Sequence, residues 1–152
     1  MRVEEWSEAY AKEVAEWRYE PPYDFYDLAA DPTDEAEMRD PARAAHYRAV
    51  LADGVERLDA FWYFDWQGDA VEVGIGLRPD LTGRGYGESF LLSQLAYAAA
   101  QWTPETFRLF VAAWNERAIR LYERLGFRTV GRETRSFELV GEHEFVRMER
   151  PA

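Results

Sequence analysis

One stretch near the middle of the chain limits the fold more than any other. From Val71 to Leu95 it reads Val-Glu-Val-Gly-Ile-Gly-Leu-Arg-Pro-Asp-Leu-Thr-Gly-Arg-Gly-Tyr-Gly-Glu-Ser-Phe-Leu-Leu-Ser-Gln-Leu. Val71 to Leu77 is β-branched and apolar enough for a buried strand. Pro79 and Asp80 stop that strand. Gly83, Gly85 and Gly87 follow in a loop whose backbone can approach a ligand closely, because no Cβ stands in the way. From about Glu88 the spacing turns helical, with Leu91, Leu95 and Ala99 on one stripe. Strand, glycine loop and helix in that order make an anion cradle. Free N–H groups at the helix start point at the ligand, and the helix dipole adds roughly half a positive charge.

A P-loop would end in Gly-Lys-Ser/Thr, which does not occur here. A dinucleotide fingerprint is Gly-x-Gly-x-x-Gly, whereas this loop is one residue tighter and lies mid-chain. On the loop alone, a flexible turn between strand and helix stays open as the plainer reading. A second stretch narrows the choice. Asn115-Glu-Arg-Ala-Ile-Arg-Leu-Tyr122-Glu-Arg-Leu-Gly126-Phe127 follows an apolar strand, Phe107 to Ala112. With both motifs in this order, the chain resembles the GNAT superfamily of acetyl-CoA-dependent N-acetyltransferases. Their glycine loop runs Arg/Gln-x-x-Gly-x-Gly, and their later motif runs Asn-x-x-Ala-x-x-x-Tyr-x-x-x-Gly-Phe. The resemblance is firm over residues 70 to 130 and loose elsewhere.

Composition sets the outer limits. The 152 residues fit one domain, 1–152, able to bury about two-thirds of its unfolded surface. With 47% hydrophobic and 16% aromatic residues the chain is a packed globule. A formal charge of −11 argues against a nucleic-acid partner, which needs a basic face. It suits a cationic acceptor, although solubility alone explains it as well. The first residues lack the apolar run of a secretory signal, and no segment is long enough to span a membrane, so the expectation is a cytoplasmic protein. There is no cysteine, hence no disulfide, no thiolate zinc site and no acetyl-cysteine intermediate. His46 and His143 are isolated, so no metal is expected.

Along the chain, Ser7 is expected to cap a helix from Glu8 to Trp17, with Ala11, Val14 and Ala15 toward the core. The aromatic run Trp17 to Leu28 contains Pro21 and Pro22, which forbid a regular helix. Its rings either wall an acceptor pocket or pin a loop to the core. Asp31 to Ala45 reads as loop plus a short helix. Tyr47 to Leu51 and Val55 to Phe64 form a hairpin around Asp53-Gly54, and a turn at Gln67-Gly68-Asp69 leads into Ala70 to Leu77. The helix Glu88 to Gln101 and the strand Phe107 to Ala112 complete a βαβ crossover. A helix Glu116 to Leu125 ends at Gly126. Two further strands, about Arg128 to Val140 and Glu144 to Glu149, close the chain. The fold expected is α+β: a GNAT-like mixed, mostly antiparallel sheet with helices on both faces and a splayed parallel strand pair.

The resemblance also implies a site. The N–H groups of Gly83, Arg84, Gly85, Tyr86, Gly87 and Glu88 would receive the pyrophosphate of acetyl-CoA, the cosubstrate. The backbone of Ile75, Gly76 and Leu77 would pair with its pantetheine arm as an added strand pairs with an open edge. Asn115 would order the helix start or contact the coenzyme; as an N-cap it needs no ligand to explain it. Tyr122 would return a proton to the departing thiolate, since a phenol of pKa about 10 can do so. Ala118, Tyr122 and Leu125 share a helical stripe, so plain core packing is the alternative for Tyr122. Glu72 is the first candidate for general base, and an outward, solvated strand residue is its plainer reading. Two departures stand out: Thr82 replaces the usual arginine or glutamine, and Glu88 puts a negative charge beside the phosphates.

Three classes of function follow. The first is an N-acetyltransferase that takes a small-molecule or peptide amine by direct attack in a ternary complex. The second is a catalytically silent acyl-CoA-binding module. The third is a structural domain that uses its aromatic surface for partners, a homodimer among them.

Overall fold

The computed structural model describes residues Met1–Ala152. In chain order the strands are β1 (Arg2–Glu5), β2 (Tyr47–Leu51), β3 (Leu58–Gln67), β4 (Ala70–Leu77), β5 (Thr106–Ala112), β6 (Arg128–Phe137) and β7 (Gly141–Pro151). The helices are α1 (Glu8–Ala15), α2 (Pro32–Arg39), α3 (Tyr86–Trp102) and α4 (Glu116–Arg124). The strands form one sheet in the order β1-β2-β3-β4-β5-β7-β6. β1 with β2, β2 with β3 and β5 with β7 are antiparallel, and β4 with β5 is parallel. This is the mixed, mostly antiparallel α+β sheet expected. No helix is long and apolar enough to cross a membrane.

The chain divides into two compact units. The first comprises Met1–Tyr63, Ile75–Gly83 and Phe137–Gly141, and the second Phe64–Gly74, Arg84–Ser136 and Glu142–Ala152.

In the first unit, Trp6 organises an aromatic core. Its ring lies 5.7 Å from Tyr10, 5.5 Å from Tyr47 and 6.1 Å from Phe61. Its indole N–H, which burial would otherwise leave unpaired, donates to the Met38 carbonyl at 2.9 Å. Ala11 and Val14 on α1 and Met38 on α2 join this core. Strand β1 escapes a sequence reading because Arg-Val-Glu-Glu offers one apolar side chain; its pairing with β2 makes it a strand. Ser7 does sit at the N-cap of α1, but its side chain makes no capping bond. Helix α1 ends at Ala15, two residues before the expected Trp17, and Trp17 instead stacks on Phe61 at 6.3 Å. Strand β3 begins at Leu58 rather than Val55, because Ala52 N–H bonds the Arg57 carbonyl across a wider turn.

Pro21 and Pro22 do exclude a regular helix, and the segment settles as short 3-10 turns at Tyr23–Tyr26 and Leu28–Ala30. The end of β4 belongs to this unit and explains one glycine. A Cβ on Gly76 would collide with Cε1 of Phe61, so the ring occupies the space a side chain would need.

In the second unit, β5 lays Phe107, Leu109 and Val111 on one buried face. Val146 and Met148 of β7 stand opposite Val111 and Leu109 and are buried with them. Helix α3 adds Phe90, Leu91, Leu95 and Ala98. The expected stripe named Ala99, which is exposed; the buried residue is Ala98, because spacings of three and four follow the 3.6-residue turn more closely than repeated steps of four. Thr103 in left-handed conformation and Pro104 end α3. Gly126, at φ 94°, takes the position after α4 that a side chain would strain.

Gly76→Ala is expected to lower stability by about 1–3 kcal/mol through overpacking against Phe61. A fall in the urea midpoint, partly recovered when Phe61→Leu is added, would carry this; an unchanged midpoint would refute it.

Candidate functional site

Begin with the cradle in the second unit. Helix α3 starts at Tyr86 with Gly85 as its N-cap, and no side chain caps it. The first N–H groups of a helix have no intrahelical partner, so a 17-residue helix opens here with donors facing outward. Gly85 has φ 81°, and a Cβ there would meet nothing within 4 Å. Its glycine therefore serves the backbone turn and leaves the space above it open. Arg84, Tyr86 and Glu88 are exposed around that space. Gly87 has a different reason: a Cβ would come within 3.2 Å of Leu121 Cδ2, so α3 and α4 meet closely at this point. The side chains and donors present fit a diphosphate.

Glu88 is less adverse than its charge suggests. The Arg124 guanidinium lies 3.9 Å from its carboxylate, a loose and half-exposed pair that still offsets the negative charge. On α4, Asn115 is the N-cap; its buried side chain accepts from Ala118 N–H at 3.2 Å. The structure thus uses Asn115 for the helix start. Tyr122 is half-buried, with its ring 6.1 Å from Phe127. No residue of α4 is fully buried, so Tyr122 does not occupy a sealed core position.

Strands β4 and β5 pair over Ala70↔Thr106, Val71↔Phe107 and Glu72↔Arg108. The ladder stops there, and Gln94, fully buried on α3, donates to the Gly74 carbonyl at 2.8 Å. A side-chain amide thus serves the Gly74 carbonyl from a helix packed on the strand. Glu72 faces away from Val71 and Val73 and is half-buried. Burial pushes its carboxyl upward from the ordinary value; Arg135 and Arg108 pull it down, while Asp65 and Glu133 push it up. Both arginines are already committed. Arg108 bonds Glu149 at 2.8 Å, and Arg135 bonds Glu133 at 2.8 Å while lying 4.2 Å over the Phe110 ring. The plain reading of Glu72 as a solvated strand residue is therefore incomplete.

The first unit holds the exit of β4. Ile75, Gly76 and Leu77 are each half-buried. The Leu77 carbonyl accepts the Tyr19 hydroxyl at 2.6 Å, and Arg78 N–H donates to the Asp59 carbonyl at 2.8 Å. Arg78 also bonds the Asp59 carboxylate at 2.7 Å and pairs with Asp80, which it holds below the usual carboxylate range. Thr82 turns its hydroxyl back to the Pro79 carbonyl at 2.7 Å. It closes the turn Pro79–Leu81 and does not stand in for the arginine or glutamine usual there. No group of three or more His, Asp or Glu side chains is arranged to hold a metal ion.

Tyr19, Gln94 and Arg124 escaped the sequence reading. Gln94 left one signal, a polar residue inside an apolar helical stripe; the partners of the other two are tertiary and leave none.

A family model described as "Acetyltransferase (GNAT) domain" matches residues 2–128. A mycothiol acetyltransferase from Streptomyces scabiei (strain 87.22) is 44% identical over 55 residues, a stretch spanning 36% of this chain and 18% of that protein. Among solved structures, a GNAT-family acetyltransferase from Bacillus anthracis superposes with a TM-score of 0.73 at 14% identity, covering 98% of this chain and 93% of that one. A spermidine N-acetyltransferase from Vibrio cholerae, in complex with CoA and spermine, gives 0.68 at 19% identity over 99% and 94%. At these identities the solved structures speak for the fold alone.

Because its folded carboxyl is shifted upward, Glu72 adds stability at low pH that is lost as pH rises through the shifted value. Glu72→Gln is expected to abolish that loss and to melt higher than the parent chain at pH 7. Thermal melts across pH 4 to 8 that superimpose for the two chains would contradict this.

Proposed function

The chain belongs to the GNAT acetyltransferase family, and from that premise we propose that it moves an acetyl group from acetyl-CoA to a primary amine, on a small molecule or a peptide, by direct attack in a ternary complex. The single observation carrying this is the uncapped start of α3 at Gly85, an open donor cradle beside Arg84. In this reading the N–H groups of Gly83, Arg84, Gly85, Tyr86, Gly87 and Glu88 hold the pyrophosphate, by the helix-terminus physics that favours anions. The backbone of Ile75, Gly76 and Leu77 takes the pantetheine arm. Asn115 contributes by fixing the start of α4. Residues 1–152 act as one domain, in the cytoplasm.

Charge supports the choice of an amine. The first unit carries 18 acidic and 8 basic side chains, the second 11 and 10, so nearly all of the net charge of −11 sits on the first. An acidic surface raises the local concentration of a cation within a Debye length of about 8 Å, while the near-neutral unit with the cradle does not repel phosphates.

The coenzyme supplies an activated acetyl group as a thioester. The remaining work falls to the side chains. Glu72, or a water it orders, takes the proton from the amine, which is almost entirely protonated at pH 7. The amine nitrogen attacks the acetyl carbonyl, so a C–N bond forms and the C–S bond breaks. Tyr122 gives its phenolic proton to the leaving sulfur, and the second proton, shed by the nitrogen as the amide forms, passes through water to restore the phenol.

The test is thiol release with acetyl-CoA over a panel of polyamines, amino acids, aminoglycosides and peptides. Release with none of them, alongside tight acetyl-CoA binding, would favour a silent binding module instead. Tyr122→Phe is expected to lower turnover by roughly 10²-fold and to leave acetyl-CoA binding by calorimetry nearly unchanged. Full turnover in that variant would remove Tyr122 from the reaction.

A further inference from the structure

The peptide unit joining Leu77 to Arg78 is held at both ends. Its N–H donates to the Asp59 carbonyl on β3, and its C=O accepts the Tyr19 hydroxyl. Pro21-Pro22 is the cis bond of the chain, so this unit is trans, and its N–H and C=O point in opposite directions. With the N–H aimed at β3, the Leu77 carbonyl and the Tyr19 hydroxyl lie on the other side of β4. That side is the edge to which the proposed function assigns the coenzyme arm. Burial pushes the Tyr19 phenol upward, with Asp27 adding to it, so the hydroxyl remains a donor across the working pH range.

We propose that Tyr19 competes with the pantetheine arm for the Leu77 carbonyl. The inference rests on the reading that the arm pairs with the backbone of Ile75, Gly76 and Leu77. The hydroxyl fills an acceptor that an amide of an extended arm would use, and the backbone of β4 cannot turn away, because Asp59 and the Arg78 clamp hold the same peptide from the other side. Pairing the arm at this position therefore exchanges one donor for another. Tyr19 also ties its own segment, since its N–H bonds the Asp27 carboxylate at 2.9 Å. Removing the hydroxyl deprives the strand end of its internal partner and leaves the carbonyl for the arm. Both effects favour the coenzyme.

The experiment is calorimetric titration of the full chain and of Tyr19→Phe with two ligands. One is acetyl-CoA; the other is adenosine 3′-phosphate 5′-diphosphate, which keeps the phosphates and lacks the arm. Tyr19→Phe is expected to bind acetyl-CoA about two- to tenfold more tightly, the range of one exchanged hydrogen bond, and the nucleotide unchanged. Tyr19→Leu, which also loses the hydroxyl, is expected to give the same arm-specific gain. Unchanged or weaker acetyl-CoA binding in both variants would overturn the competition while leaving the arm's pairing intact, provided the parent chain prefers acetyl-CoA to the nucleotide. A parent chain that binds the two equally would overturn the arm's pairing, and the competition with it. An equal gain for both ligands would also overturn the proposal, since a general loosening has no preference for the arm.

Discussion

The parallel pair β4 and β5 stays together for three residue pairs, and the rest of the site follows from what happens after they part. A strand that loses its neighbour still carries an N–H and a C=O at every residue, and a partly buried strand cannot leave them all unpaired. Here two side chains bond carbonyls of that strand. Gln94 reaches the Gly74 carbonyl from α3, and Tyr19 reaches the Leu77 carbonyl from the segment after α1. The strand stays extended to Leu77 with β3 along one edge and no β5 pairing after Glu72 along the other, which is the condition for an extended ligand to lie along that edge.

The exit from β4 is fixed by charge as well as by backbone bonds. Asp59 receives Arg57 and Arg78 together, and Arg78 also holds Asp80. Arg78 and Asp59 are both shielded, with side chains 15% and 12% exposed, so their bond is not the screened surface pair that contributes little. Thr82 then closes the turn on Pro79. The result is a stiff lead into a loop that is itself open. Stiffness on one side and open donors on the other suit a loop that must present N–H groups without first reorganising.

Much of this was legible in the sequence where the cause is local. Strand β4 ends where Pro79 forbids more strand, α4 ends where Gly126 accepts the left-handed turn, and Asn115 caps because its side chain reaches back to its own helix. What could not be read depends on partners far along the chain. Strand β1 exists because β2 lies beside it, and the Tyr19 hydroxyl means nothing until Leu77 is placed next to it, 58 residues away. Glu72 belongs to the same class. Its alternation on β4 was visible, but its half-burial and the four charges acting on it come from β3, β5 and β6.

The glycines show why a motif alone is an incomplete argument. Gly76, Gly85 and Gly87 are near one another in sequence, yet the structure gives each its own physical cause. Phe61 excludes a side chain at Gly76, and Leu121 crowds one at Gly87. At Gly85 nothing stands in the way, and the backbone turn is what demands glycine. All three would therefore be needed even in a protein that bound nothing, two for packing and one for the turn. Only Gly85 combines a left-handed turn with open space at a helix start. What points to a ligand is the open space at that helix start, where no side chain caps the first N–H groups.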